Sequence, residues 1–136
     1  MPSSNTLSKP VRVLLVDDNE AMLNRVAAVL SPGCEVVGAV KDGPSAIRAV
    51  DVLHPEVIVL DISMPGMTGF EVATHLRASG STAAVVFLTV HDDEEFLLAA
   101  KAAGGMGYVF KRRLGTDLLH AVQEAQAGRL FVSSLV

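Results

Sequence analysis

The chain has 136 residues, 50 % of them hydrophobic and 19 % charged, which fits one globular domain and excludes intrinsic disorder. The 11 Lys+Arg against 15 Asp+Glu leave a formal charge of −4, and aromatics make up 4 % with no Trp. Charge and stacking both argue against a nucleic-acid surface, and the single Cys34 excludes an internal disulfide or a thiolate zinc site.

A mean hydropathy of +0.42 raises the question of a membrane. The longest apolar run, Ala83 to Leu88, falls far short of the roughly 20 residues a spanning helix needs. Residues 1–10 are polar and hold no hydrophobic signal core, so they are expected to be a disordered lead. No membrane association and a cytoplasmic location are expected.

From Val11 onward apolar runs alternate with helical patterns. Val11–Val16 reads as a buried strand that ends in Asp17-Asp18-Asn19-Glu20. Asn19–Leu30 follows as a helix with Met22, Val26, Val29 and Leu30 on one face. Glu35–Val40 is the second strand, and Pro44–Leu53 the second helix, with Pro44 at its first position. Glu56–Leu60 is the third strand, running into Asp61-Ile62-Ser63-Met64-Pro65-Gly66-Met67. Thr68–Ser79 is helical, with Phe70, Ala73 and Leu76 facing inward and capping-box spacing between Thr68 and Glu71. Ala83–Leu88 is the fourth strand, followed by Thr89-Val90-His91-Asp92. Asp92–Ala103 is the fourth helix, with the same box spacing between Asp92 and Glu95. Met106–Phe110 is the fifth strand, ending in Lys111-Arg112, and Thr116–Ala127 the fifth helix. Gly33, Gly80, Gly104 and Gly128 stand where left-handed helix ends are expected.

Strands alternating with helices imply an α/β domain with a doubly wound parallel sheet, whose site lies at the carboxyl ends of the strands. Asp17, Asp18, Asp61, Thr89 and Lys111 stand at such ends. Singly, each has a plain structural explanation: the paired aspartates as a helix cap, Thr89 as a strand former, Lys111 as a solvated charge. Asp61 is harder to explain that way, because it follows Val57-Ile58-Val59-Leu60, where an unpaired carboxylate is costly. Clustered carboxylates need a counterion, and all-oxygen ligation suits Mg²⁺. With an ammonium opposite, such a site suits a phosphoryl group, and an aspartate can be its nucleophile.

Asp17-Asp18, the stretch from Asp61 through Met64-Pro65-Gly66-Met67 to Gly69, Thr89, and Gly107-Tyr108-Val109-Phe110-Lys111 together resemble the receiver domain of a two-component response regulator. The resemblance covers residues 11–128 and implies a flavodoxin-like, five-stranded sheet of order 2-1-3-4-5 with five helices. It implies that Asp61 accepts a phosphoryl group from a histidine kinase. Asp18, Asp61 and the backbone carbonyl of Ser63 would bind Mg²⁺, with Asp17 acting through water. Lys111 would contact the phosphoryl oxygens, Thr89 would hydrogen-bond the phosphorylated form, and Tyr108 would follow Thr89 inward. Ser63 and His91 would tune the phosphoryl lifetime. Partners implied are the kinase and, as an option, a second copy on phosphorylation, with no direct contact to nucleic acid. The chain would be a phosphoacceptor with slow self-dephosphorylation rather than a turnover enzyme.

The pattern departs from the family in places. Arg112 stands where many receivers have Pro, so the Lys111–Arg112 bond is expected to be trans. Val90 is bulkier than the small residue commonly found there. Lys111-Arg112-Arg113 reads as a solvated loop, and His54, His75 and His120 show no ligand spacing. The apolar tail 129–136 either packs on the domain, mediates dimerisation, or begins a linker to an output domain, resembling the run that leads into helix-turn-helix DNA-binding domains. The alternatives are a stand-alone receiver and a Mg²⁺-dependent phosphohydrolase with an aspartate nucleophile. The hydrolase normally needs a carboxylate two residues on, where Ser63 stands. A flavin or nucleotide module of the same fold fails at the glycine-free, acidic first loop.

Overall fold

Side chains alternate across each strand, and this alternation sorts the core into two layers. The computed structural model describes residues 9–134. Its strands are β1 (Val11–Val16), β2 (Cys34–Val40), β3 (Val57–Asp61), β4 (Ala84–Thr89), β5 (Gly107–Phe110) and β6 (Phe131–Val132). The helices are α1 (Glu20–Leu30), α2 (Gly43–Leu53), α3 (Gly69–Ala78), α4 (Glu94–Ala102) and α5 (Leu114–Gln126), with a 3₁₀ turn over Lys111–Arg113. Val13, Leu15, Val57, Val59, Val86, Leu88 and Val109 pack with Leu23, Val26, Leu30, Leu118 and Val122 of α1 and α5. Leu14, Val16, Ile58, Leu60, Val85, Phe87, Tyr108 and Phe110 pack on the other face with residues of α2, α3 and α4. Both faces being covered is why the central strands read as unbroken apolar runs.

Every strand pair is parallel, in the order β2-β1-β3-β4-β5-β6. The expected order 2-1-3-4-5 is there, but the expected count of five strands is corrected to six. Phe131 donates its N–H to the Met106 carbonyl at 3.0 Å and Ser133 donates to Tyr108 at 2.9 Å, so the tail closes the outer edge of β5. Within the tail, residues 131–133 pack on the domain while Leu130 stays half exposed; residues 135–136, like 1–8 of the N-terminal lead, lie outside the described residues.

Local signals hold where a polar side chain caps a helix. Asn19 accepts from Met22, Asp42 from Ser45, and Thr68 and Glu71 form the full capping box. Two expectations are corrected. Asp92 does not cap α4, whose N-cap is Asp93 without a side-chain bond; Asp92 pairs with Arg112 instead. Gly80, Gly104 and Gly128 are left-handed but Gly33 is not, and the left-handed cap of α2 is His54, with φ 48°. The first residues of α3 carry one demand that only glycine meets: a Cβ on Gly69 would collide with the Asp61 carbonyl oxygen.

Candidate functional site

The acidic residues predicted at strand ends come together at one place. β1 delivers Asp17 and Asp18, and β3 ends on Asp61 itself rather than before it. One carboxylate oxygen from each of Asp17, Asp18 and Asp61 lies within 4.8 Å of the others. Asp17 and Asp61 are buried, whereas Asp18 is exposed. Glu20, from the same acidic run, pairs with Lys41 and stays outside the cluster.

Lys111 faces the two buried carboxylates. Its Nζ is 3.2 Å from Asp61 Oδ1 and 3.5 Å from Asp17 Oδ2. The other Asp17 oxygen accepts the Asn19 N–H at 2.9 Å, which fixes the loop at the start of α1. Oδ2 of Asp17 is fully buried and makes no hydrogen bond. One ammonium thus serves two buried anions, with a third carboxylate beside them. Burial first, then the Asp17 charge, pushes the Asp61 carboxyl up to about 6, against the opposing pull of Lys111.

This donor set fits a hard divalent cation. Three carboxylates converge, an oxygen among them has no hydrogen-bond donor, and the groups offer oxygen alone. Ser63, expected to contribute its carbonyl, lies two residues beyond Asp61 with its side chain exposed.

Thr89 and Tyr108 meet at one residue. Thr89 ends β4, is 1 % exposed, and its Oγ1 accepts the His91 N–H at 3.0 Å. The Tyr108 hydroxyl donates to the His91 carbonyl at 3.1 Å. The Tyr108 ring is already inside, 2 % exposed and edge-on to Phe110. Burial, aided by the Asp93 and Asp92 charges, pushes its phenol up to about 12, so it stays a donor at neutral pH. The His91 imidazole lies flat on Phe96, with centroids 3.9 Å apart. Val90 is exposed at 64 %, so its bulk points to solvent.

The basic run is not a free patch. Lys111 pairs with Asp17 and Asp61, Arg112 with Asp92, and Arg113 with Asp117. Arg112 also lies over the Phe110 ring, 4.9 Å from its centroid. No cis peptide bond occurs among the described residues, as expected at Lys111–Arg112. The Arg112–Asp92 bridge between the β4–α4 and β5–α5 connections was not legible in the sequence, since its ends lie in separate loops.

Comparison with known proteins places this geometry in a family. The response regulator receiver domain family matches residues 13–123. The chain is 34 % identical over 127 residues to the nitrate/nitrite response regulator protein NarL of Escherichia coli, covering 92 % of this chain and 59 % of that protein. It is 37 % identical over 129 residues to the nitrate/nitrite response regulator protein NarP of the same organism, with coverage of 93 % and 60 %. The chain therefore spans about three-fifths of the length of these relatives. Among solved structures, the signal receiver domain of the putative response regulator NarL from Mycobacterium tuberculosis superposes with a TM-score of 0.85 at 31 % identity, over 90 % of this chain and all of that one. A LuxR-family two-component response regulator from Aurantimonas superposes with a TM-score of 0.86 at 30 % identity, over 90 % of this chain and 89 % of that one. No described helix is long and apolar enough to cross a membrane. With its acid cluster and facing lysine on a doubly wound sheet, the chain belongs to the response regulator receiver domains.

Proposed function

We propose that this receiver takes a phosphoryl group onto Asp61 and uses it to switch the surface around β5. The observation that carries the reading is the Lys111 ammonium 3.2 Å from Asp61 Oδ1, opposite the Asp17–Asp18 pair. An Asp61 oxygen attacks the phosphorus of a phosphohistidine, the new P–O bond forms as the P–N bond breaks, and the electron pair leaves with the imidazole. Lys111 neutralises one side of the incoming group and holds Asp61 in place. Asp18, Asp61 and the Ser63 carbonyl would hold Mg²⁺, with Asp17 acting through water. That ion would supply the positive charge the phosphoryl oxygens need. Slow hydrolysis of the acyl phosphate resets the site, with Ser63 and His91 bordering it and setting its lifetime.

The switch acts through His91. Phosphorylation adds up to two negative charges and three strong acceptors. Thr89 leaves the His91 N–H to donate to them, and the Tyr108 hydroxyl holds the other side of the same residue. Moving such an equilibrium from mostly off to mostly on takes about 5.5 kcal/mol, a scale that charge-assisted hydrogen bonds reach together. α4 suits a moving element, because Ala100 is its only fully buried residue. A cytoplasmic histidine kinase as donor, a DNA-binding output domain as target, and pairing with a second copy on phosphorylation complete the reading. They are supported by the likeness to the longer response regulators.

The test is intact mass after incubation with Mg²⁺ and acetyl phosphate. One hydroxylamine-labile phosphoryl group that disappears in Asp61→Asn is expected. Persistence of the adduct in that variant would sink the assignment, and fast turnover of donor without adduct would favour the hydrolase.

A further inference from the structure

The tail does more than close the sheet edge. Ser133, 5 % exposed, donates its hydroxyl to Asp117 Oδ2 at 2.7 Å and accepts the Phe110 N–H at 3.2 Å. Asp117 stands in the first turn of α5, 8 % exposed, where a carboxylate also favours the helix dipole. Arg113 donates to the same carboxylate through Nε at 2.8 Å and through Nη2 at 3.3 Å. These contacts close a ring: Phe110 is held from one side by Ser133, Arg113 from the other by Asp117, and Ser133 joins Asp117. The only residues of the chain between the two anchor points are Lys111 and Arg112.

We propose that the buried Asp117–Ser133 clasp positions Lys111, so that the docked tail sets where the ammonium opposite Asp61 stands. The last residue pair of the β4–β5 ladder is Thr89 with Phe110, so Lys111 stands just beyond the sheet. Its stem must therefore take its direction from the anchored residues on either side. Opening the clasp strips the buried Phe110 N–H of its partner and leaves Asp117 Oδ2 to Arg113 Nε alone, and the 3₁₀ turn carrying Lys111 relaxes. Coupling between sites is reciprocal, so a group that shifts Lys111 also changes how firmly residues 131–133 dock. Of the proposed function, only the action of Lys111 at Asp61 is needed for this coupling to matter.

Two readouts test it on the chain as described. The first is the Lys111 side-chain carbon–proton signal in lysine-labelled protein without metal. Ser133→Ala and Asp117→Asn are each expected to shift that signal while leaving the signals of Lys41 and Lys101 in place. An unmoved Lys111 signal in both folded variants overturns the clasp. The second is calorimetric Mg²⁺ affinity. Withdrawing the ammonium from the carboxylates should tighten Mg²⁺ binding by about two- to fivefold in Ser133→Ala. Adding Ser133→Ala to Lys111→Met should then change nothing further. Weaker binding, or an effect that persists without Lys111, would mean general loosening and overturn the positioning role. If the wild-type protein binds no Mg²⁺ and takes no phosphoryl group, the proposed function fails, and the lysine signal alone still decides the clasp.

Discussion

Replacing Asp61 by Asn should stabilise the metal-free protein, even though Asp61 is the residue on which the site depends. Its carboxyl is shifted from the usual 3.8 to about 6 by burial and by Asp17, so the native state resists its ionisation. A group raised in the folded state is protonated more readily there than in the unfolded chain. Its contribution is therefore intact below about pH 4 and is lost as pH rises through about 6. The difference between 3.8 and about 6 corresponds to about 3 kcal/mol of stability forfeited at pH 7.5. An asparagine side chain cannot ionise, keeps the shape, and leaves Lys111 beside Asp17. Urea unfolding in a chelator should find the Asp61→Asn variant and wild-type protein close together near pH 4, and the variant ahead by about 3 kcal/mol at pH 7.5. Mg²⁺ at a hundredfold excess over Kd should then stabilise wild type by about 2.7 kcal/mol and nearly close that gap. A variant no more stable than wild type at pH 7.5, or a gap independent of pH, would refute the electrostatic reasoning.

Removing the counter-charge by Lys111→Met should tighten Mg²⁺ binding in calorimetry and slow phosphorylation by acetyl phosphate, since the ammonium competes with one ligand and serves the other. Gly69→Ala should cost about 1–3 kcal/mol in urea unfolding, because its Cβ meets the Asp61 carbonyl oxygen. Thr68→Ala should cost about 1 kcal/mol by losing one half of the capping box, read in the same assay. Arg112→Ala should change stability by less than about 1 kcal/mol, because the Arg112–Asp92 pair is half exposed.

The parts of the fold legible in the sequence are those where local chemistry and tertiary packing agree. β1, β3 and β4 are buried on both faces, so their apolar runs announce them, and the acids that end β1 and β3 stand out against those runs. β6 could not be read this way, because two residues have no period and its pairing with β5 is set by long-range backbone bonds. Asp92 had the spacing of a cap, yet Arg112, 20 residues on, claims its carboxylate. Gly33 follows Pro32 in a turn that needs no left-handed residue, while His54 takes that conformation ahead of Pro55. The contact of Ser133 with Asp117 spans 16 residues and joins a tail to a helix, so no motif could have announced it. Lys111 was found by its position at a strand end, but its bond to Asp61 required the sheet order.

The most direct test of the central claim is to find the atom that carries the phosphoryl group. Borohydride reduces an aspartyl phosphate to homoserine, and peptide mass spectrometry of protein treated with acetyl phosphate and Mg²⁺ then locates the change. Homoserine is expected at position 61 and nowhere else. Reduction at Asp17 or Asp18, or none after phosphate incorporation, would contradict it.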